Sequence, residues 1–435
     1  MTILIRGGQV INPATQMDEV ADVLIEDGVV KEIKKGIKSK ANRTIDAKGC
    51  YVMPGFIDLH VHLRDPGLEY KEDVFTGMQA AAHGGYTTVL AMPNTKPVAD
   101  NADVIGYVHR KAASGNCIHV LQVGAVTKGQ LGKELADIEG MVKAGCPAIS
   151  EDGKSVMNSQ VYREGMKEAA RLHIPVLAHC EDINLVHGGV MNADAKAEAL
   201  GLPGITNAVE DVIVARDILL SKETGARLHL CHCSTEDSVR MVREAKEQGI
   251  AVSAEVCPHH FTLSSEDIKE EEMTNYKMNP PLRTKADVEA LKQGLKDGTM
   301  EVISTDHAPH AFQEKNTTMK KAPFGIVGLE TAACLTYTEL VLGGYLTPMQ
   351  MAERMSYNPA RVIGSDKGDI QPGKAADIVI FDPKETYRID RDQFASKGRN
   401  TPFHGREVTG RVKCTICDGC VERFPFLFVR VRAKC

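Results

Sequence analysis

The sequence contains no tryptophan, and aromatic residues make up only 5% of its 435 residues. Proteins that bind single-stranded nucleic acid commonly stack the bases on aromatic side chains. The formal net charge is −6 at pH 7, so the chain also lacks the basic excess that favours nucleic acid or an anionic membrane. We therefore expect neither nucleic acid nor a membrane as a partner.

Long hydrophobic segments are also missing. No uninterrupted apolar run approaches the roughly 20 residues that span a bilayer, and the opening MTILIRGGQVINPA lacks the features of a signal peptide. We therefore expect a cytoplasmic protein whose twelve cysteines are mostly reduced thiols. Cys414, Cys417 and Cys420 are spaced like a zinc triplet, but their strand-like context favours ordinary thiols.

The pattern of strands and helices divides the chain into three parts. Residues 1–52 and 366–435 contain strand-type runs joined by tight turns, which predicts one small β domain built from both chain ends. Residues 53–365 alternate eight apolar runs with helical stretches, which is typical of parallel βα units. We therefore predict an α/β fold, a TIM-like (β/α)8 barrel with a small β-sandwich domain. The predicted helices are residues 71–83, 101–114, 131–144, 160–172, 207–224, 235–248 and 285–297.

Polar residues collect where the apolar runs end, which is where barrel enzymes place their active sites. These residues are His60, His62, Asn94, Glu151, Asp152, His179, His232 and Asp306. His60 and His62 are two residues apart in a strand, so their side chains point the same way and can hold one metal ion. A carboxylate such as Asp152 can bridge two metals, which together would activate a water molecule. A polar barrel rim is the alternative for each residue alone, but the combination favours a metal centre.

A series of motifs along residues 53–365 resembles the metal-dependent amidohydrolase superfamily, and within it the bacterial class I dihydroorotases. The motifs are GFIDLHVHLRDPG (55–67), AMPNTKP (91–97), SEDG (150–153), AHCED (178–182), LCHCST (230–235), EVCPHH (255–260), KMNPPLR (277–283), STDHAPH (304–310) and APFGIVGLET (322–331). The resemblance implies a zinc-dependent cyclic amide hydrolase of pyrimidine biosynthesis. Its reaction would be the reversible cyclisation of N-carbamoyl-L-aspartate to L-dihydroorotate plus water.

The resemblance also implies a role for individual residues. Two Zn²⁺ ions per chain would be held by His60, His62, Asp152, His179, His232 and Asp306, with Asp152 bridging. Asp306 would also be the catalytic proton shuttle. Many relatives bridge their metals with a carboxylated lysine, but the match places an aspartate there, so Lys154 is not expected to take that role. The roles of Glu151, His259 and His260 stay open.

The substrate contacts implied by the resemblance surround this centre. They are His62, Arg64, Asn94, Asn279, His310 and the backbone of Phe324 and Gly325. Arg64 offers a planar fork of donors that suits the substrate carboxylate, and a salt bridge to Asp65 or Glu69 is the structural alternative. Residues 311–325 are polar and lack periodicity, which predicts a mobile loop over the site, with a plain surface loop as the alternative.

Two other functions compete with this interpretation. A hydantoinase or allantoinase would share the fold and the histidine pair, but Arg64 and Asp152 favour a dihydroorotase. A metal-free amidohydrolase-like assembly subunit would lack ligands, whereas this chain has the full set. The resemblance also suggests a homodimer and leaves open a complex with aspartate transcarbamoylase. The stretch after Gly419, ending in VERFPFLFVRVRAKC, is longer than expected and is not assigned a role.

Overall fold

The computed structural model describes residues 1–423, and one eight-stranded sheet combines both ends of this part of the chain. Its strands are Thr2–Asn12, Met17–Glu26, Val29–Lys34, Arg43–Asp46, Tyr51–Pro54, Ile378–Arg388, Glu407–Cys417 and Cys420–Arg423. The two ends meet where Ile378 lies opposite Pro54 in an antiparallel pair. Side chains from both ends, including Ile3 and Ile380, fill one buried apolar cluster. Of the C-terminal stretch after Gly419, Cys420–Arg423 forms a strand of this sheet, and the remainder lies beyond residue 423, outside the described residues.

Two parallel sheets are formed by the middle of the chain. One contains three strands and the other six. The strands are Phe56–Val61, Tyr86–Ala91 and His119–Gln122 in the first sheet, and Gly124–Ala125, Ile149–Ser150, Val176–Ala178, Leu228–Leu230, Val252–Val256 and Val302–Ile303 in the second. Neighbouring strands follow one another in chain order, as βα units require. A separate short pair joins Met191–Asn192 to Gly204–Ile205. The predicted α/β class with parallel strands is confirmed.

The helices lie mainly between the parallel strands. The α-helices are Val74–Gly84, Ala102–Ala113, Ile138–Lys143, Ser159–Arg171, Ala195–Leu200, Ala208–Thr224, Glu236–Glu247, Pro258–Thr262, Lys285–Asp297, Phe312–Lys315, Ala332–Thr336, Pro348–Ala352 and Asn358–Val362. Shorter 3₁₀ segments are Lys128–Gln130, Ser265–Asp267, Glu270–Tyr276 and Arg391–Gln393, and the π-helical turns are Tyr337–Val341 and Glu353–Tyr357. Among the residues described, no helix is both long and apolar enough to cross a membrane.

The predicted helix at 131–144 is wrong over its first half. The helix is confined to Ile138–Lys143, because the Asp137 side chain accepts a hydrogen bond from the backbone of Gly140 and starts the helix there. Before it, Leu135 pairs with Thr127 in an antiparallel bridge that folds the chain back. The other predicted helices between residues 71 and 297 are confirmed with ends shifted by three residues or fewer.

The two parallel sheets share a buried apolar core. Ile57, Leu90, Leu177 and Val302 come from strands of both sheets and belong to one cluster. The sheets also touch along the backbone, because the amide of His62 donates to the carbonyl oxygen of His307 at 2.8 Å. The carboxyl ends of the parallel strands are thereby brought to one side of the molecule.

Part of the C-terminal segment crosses to this side as well. Asn400 is 3% exposed, and its side-chain amide donates to the carbonyl oxygens of Ala308 and Gly325 at 2.9 and 3.0 Å. Its side-chain oxygen accepts the backbone amide of His310 at 3.0 Å. The stretch around Asn400, predicted as part of the small β domain, therefore supports the segment that contains the predicted substrate contacts His310, Phe324 and Gly325. The domain limits 1–52, 53–365 and 366–435 stay a prediction.

Candidate metal centre

The six predicted metal ligands converge at the carboxyl ends of five parallel strands. They are His60 and His62 at the end of Phe56–Val61, Asp152 after Ile149–Ser150, His179 after Val176–Ala178, His232 after Leu228–Leu230, and Asp306 after Val302–Ile303. Their exposed fractions lie between 0% and 7%, so the cluster is almost fully shielded from solvent. Charged groups are costly to bury unless they are paired or bind a metal.

Asp152 lies at the middle of the cluster. Its Oδ1 is 3.1 Å from Nε2 of His60, 3.3 Å from Nδ1 of His179 and 3.7 Å from Nε2 of His232. Its Oδ2 is 3.4 Å from Nε2 of His62. One carboxylate therefore faces all four imidazoles, which is the placement that a bridging ligand between two ions needs.

Asp306 lies on the side of the two strand-paired histidines. Its Oδ1 is 2.9 Å from Nε2 of His62 and 3.5 Å from Nε2 of His60. Asp306 has a φ of +45°, and His232 and Arg64 also have positive φ values, +35° and +60°. Such backbone conformations are rare outside glycine, cost free energy, and concentrate at functional sites.

The nitrogen atoms of this cluster fit metal ligation. His60 Nε2 is buried, faces Asp152 and makes no hydrogen bond of good geometry, and His179 Nδ1 lies only 2.8 Å from His232 Nε2. Burial opposes protonation of His60, but the carboxylates of Asp152 and Asp306 outweigh it and raise its pKa well above the usual value. A bound metal cation would balance the negative charge of the same two carboxylates. Imidazole nitrogens and carboxylate oxygens are also the donor set that zinc prefers, so the residues present fit zinc.

Glu255, which was not predicted from the sequence, is a buried carboxylate that contacts the predicted metal ligands His60 and His232. This carboxylate has no exposed surface and lies 3.1 Å from Nδ1 of His60 and 3.0 Å from Nε2 of His229. It also accepts the backbone amide of His232 at 3.2 Å. Burial would raise the pKa of Glu255, but the two imidazoles outweigh it and hold the pKa well below its usual range. The available signal was the only charged residue inside the buried strand Val252–Val256.

Glu181 connects a predicted metal ligand to a predicted substrate contact. Its Oε2 is 3.1 Å from Nε2 of His179, and its Oε1 accepts a hydrogen bond from the amide of Asn279 at 2.9 Å. Asn279 is thereby held beside the metal cluster. The sequence analysis assigned no role to Glu181, although it lies in the AHCED motif.

Asn94 contacts two of the predicted metal ligands directly. Its Oδ1 lies 3.0 Å from Nδ1 of His62, and its Nδ2 donates to Oδ2 of Asp152 at 3.3 Å. The Asn94 oxygen can accept a proton from Nδ1 of His62, and Nε2 of the same ring then faces Asp306. Gly153 makes room for the amide, because a Cβ there would lie 2.8 Å from Nδ2 of Asn94, and its φ of +79° also favours glycine.

Arg64 and His310 lie side by side next to the cluster. Nη2 of Arg64 is 3.4 Å from Nε2 of His310, and Nε of Arg64 donates to the carbonyl oxygen of Pro309 at 3.2 Å. His310 Nε2 also lies 2.8 Å from the carbonyl oxygen of Phe324. The alternative pairing of Arg64 with Asp65 is not formed, because Asp65 binds Lys111 at 2.6 Å.

Two side chains whose roles were open, Glu151 and His260, lie around the centre, together with Lys154, which was not expected to bridge the metals. Glu151 accepts the backbone amides of Val126 and Thr127, both at 3.1 Å, which indicates a structural role. Lys154 donates to the carbonyl oxygen of Gln130 at 3.1 Å. His260 donates to the carbonyl oxygen of Pro280 at 2.9 Å, an interaction typical of a buried packing histidine.

Comparisons with known proteins identify the family. A family model described as dihydro-orotase-like matches residues 49–238. The chain is 49% identical over 421 residues to a dihydroorotase of Pelotomaculum thermopropionicum, covering 97% of this chain and 98% of that protein. It is 47% identical over 422 residues to a dihydroorotase of Geobacter metallireducens, covering 97% and 99%. The chain belongs to the dihydroorotase family.

Solved structures similar to this dihydroorotase-family chain have other names. A dihydropyrimidinase from Brevibacillus agri has a TM-score of 0.85 at 26% identity, covering 99% of this chain and 96% of that one. An L-hydantoinase from Arthrobacter aurescens has a TM-score of 0.87 at 28% identity, covering 96% and 95%. The dihydroorotase family thus shares its fold with enzymes named for other cyclic amides.

Proposed function

We propose that this chain is a dihydroorotase, which interconverts N-carbamoyl-L-aspartate and L-dihydroorotate plus water in pyrimidine biosynthesis. The observation that carries the proposal is near full-length identity of 49% to a protein named dihydroorotase. The site agrees with it, because a hydrolytic cluster around Asp152 lies beside the cationic Arg64, and the substrate has a carboxylate next to its cyclic amide.

The proposal includes the closed (β/α)8 barrel with a β-sandwich domain. The contact between the His62 amide and the His307 carbonyl supports closure, since it links the first parallel strand to the chain just after the last. The apolar cluster shared by Ile57, Leu177 and Val302 supports it too, because such a cluster fills a barrel interior. The barrel would comprise residues 53–365, with 1–52 and 366–435 in the small domain.

Two Zn²⁺ ions are part of the proposal. His60, His62 and Asp306 would hold the first ion, His179 and His232 the second, and Asp152 both, as its central position supports. When bound, the ions would polarise the amide carbonyl and lower the pKa of a water molecule between them.

Asp306 would move the proton. Its carboxylate lies 2.9 Å from His62 and at the carboxyl end of a strand, where a ring amide beside the metals can be reached. In hydrolysis it accepts the proton of the attacking water and gives it to the leaving ring nitrogen. Hydrolysis also releases a second proton when the new carboxyl group ionises, and Asp306 takes that proton up. Ring closure therefore starts with Asp306 protonated and runs the same steps in reverse.

Other residues would bind and orient the substrate. We assign the substrate carboxylate to Arg64, His310 and Asn94, supported by the 3.4 Å separation of the Arg64 guanidinium from His310. Asn279 and the backbone of Phe324 and Gly325 would contact the ring, and His62 would also border it. Asn94 would have two roles: it would bind the substrate carboxylate, and its amide also contacts His62 and Asp152.

The proposed reaction is tested in the biosynthetic direction. Zinc-loaded protein is incubated with N-carbamoyl-L-aspartate or with its D-enantiomer, and ring closure is followed by mass spectrometry. We expect L-dihydroorotate to form from the L-enantiomer only. In one enantiomer alone can the carboxylate contact Arg64 while the reacting group lies at the metals. No product from either enantiomer with fully loaded protein would contradict the proposal.

A hydantoinase-type activity is the second candidate, favoured by the structural similarity to an L-hydantoinase. A cyclic amide without a carboxylate would leave the cation of Arg64 without a counter-charge, which favours dihydroorotate. We also propose a cytoplasmic homodimer, and a complex with aspartate transcarbamoylase stays open. Light scattering of the purified protein, alone and mixed with that enzyme, tests both assemblies.

A further inference from the structure

Residues 311–325 are attached to the rest of the site at two sides of one short helix. On one side, Glu314 pairs with Lys71 at 2.9 Å and accepts the hydroxyl of Tyr70 at 3.1 Å. On the other side, the next residue, Lys315, reaches into the molecule and is only 5% exposed. The segment therefore bridges two parts of the chain that border the metal cluster.

Lys315 is bound by carbonyl oxygens. Its Nζ donates to the carbonyl oxygens of Thr274 at 2.9 Å, Lys277 at 3.2 Å and Pro323 at 2.9 Å. An ammonium group has three donors, and these three carbonyls occupy all of them. Burial of a charge is costly unless such polar groups replace its water, so the arrangement holds three backbone positions around one atom. Burial lowers the pKa of Lys315 to about 7, whereas the carbonyl dipoles around it act in favour of the charged form.

The three carbonyls come from the two segments that carry the proposed ring contacts. Lys277 closely precedes Asn279, and Pro323 directly precedes Phe324. A second link runs between the same segments, because the amide of Gly325 donates to the carbonyl of Lys277 at 2.9 Å. Lys277 itself places its ammonium 4.4 Å from the centre of the Phe324 ring. Nζ of Lys315 thus joins the two segments that carry the ring contacts, alongside the backbone hydrogen bond from Gly325 to Lys277.

We propose that Lys315 is a positioning residue for the cyclic substrate, because it ties the backbone at 274–277 to the backbone at 323–325. The identity of that substrate rests on the proposed function. Lys315 does not contact the metal ligands in the residues described, so its removal should leave metal binding intact. Its effect should appear in substrate binding, because loosening either segment moves Asn279 and Phe324 apart.

The test compares Lys315→Met with Lys321→Met, a matched change of an exposed lysine in the same segment. Hydrogen exchange read by mass spectrometry is measured on the zinc-loaded proteins. We expect faster exchange in peptides covering 272–278 and 318–326 in Lys315→Met alone. For dihydroorotate, we expect KM to rise roughly tenfold with kcat changed less than about threefold, while zinc content stays the same. Lys315→Arg, which keeps the charge, should recover most of the KM.

Each failure has a different meaning. If the unaltered protein does not turn over dihydroorotate, the proposed function fails, and the exchange data still decide whether Lys315 joins the segments. If that protein is active but Lys315→Met shows unchanged exchange and unchanged KM, the inference is wrong. Lys315→Gln is prepared in parallel. If neither neutral variant folds, Lys315 is required for the fold as a whole and the positioning role is also overturned.

Discussion

Glu255 Oε1 lies 3.1 Å from Nδ1 of His60, while Nε2 of the same ring lies 3.1 Å from Asp152. The buried carboxylate keeps the ring proton on Nδ1, so the lone pair of Nε2 points into the metal cluster. Because Glu255 also accepts the backbone amide of His232, it orients a ligand on each side of Asp152.

Replacing Glu255 by Gln should therefore weaken metal binding. An amide retains the shape but loses the charge that fixes the ring, and such changes typically cost 10–100-fold in metal affinity. Zinc per chain after dialysis against a graded chelator measures the effect, with the exposed Glu247→Gln as the control. Zinc retention equal to that of the unaltered protein would show that Glu255 does not orient the ligands.

Asp306→Asn should nearly abolish turnover. The amide cannot accept and return the proton, which costs roughly 10²–10⁴-fold or more, since a metal ligand is also altered. Initial rates at saturating substrate and at measured zinc content separate the two causes. A variant that keeps most of its activity would remove Asp306 from the mechanism.

The two directions of the reaction should respond to pH in opposite ways. Burial raises the pKa of Asp306, but His60 and His62 outweigh it and lower the pKa from its ordinary value, so the carboxylate is ionised at neutral pH. Hydrolysis uses this ionised form and should gain as the pH rises, whereas ring closure needs the protonated form and should gain as the pH falls. Because this pKa lies below the ordinary value of about 3.9, the two profiles should diverge at the acid end, and initial rates in both directions over roughly pH 3–7 provide the measurement. Identical profiles would contradict the assigned role.

Arg64→Met should affect substrates according to their charge. Losing hydrogen bonds between a guanidinium and a carboxylate costs about 1.5–3 kcal/mol each, so kcat/KM for dihydroorotate should fall by at least tenfold. Dihydrouracil has the same ring without the carboxylate and should lose little. The exposed Arg110→Met serves as the control. An equal loss on both substrates would refute the carboxylate role.

Local rules made much of the fold and the centre predictable. The helix Lys285–Asp297 begins where predicted, because Thr284 and Asp287 form a capping box that the sequence displays. His60 and His62 were identifiable because strand spacing and strand ends are visible in the sequence.

Contacts between distant parts of the chain were not predictable. His60 and Glu255 are 195 residues apart, and nothing local indicates that they meet. The contact of Asn400 was equally unpredictable. Asn400 was assigned to the small domain, yet its side chain accepts the backbone amide of His310. Lys315 belongs to a segment predicted as a mobile loop, yet its three acceptors become apparent only once the chain is folded.

The most direct test compares kcat/KM of the zinc-loaded protein for dihydroorotate, hydantoin and allantoin. The account predicts that dihydroorotate exceeds the other two by roughly a hundredfold or more, because only its carboxylate is matched by Arg64 and His310. Turnover of hydantoin or allantoin with equal or higher kcat/KM would contradict it.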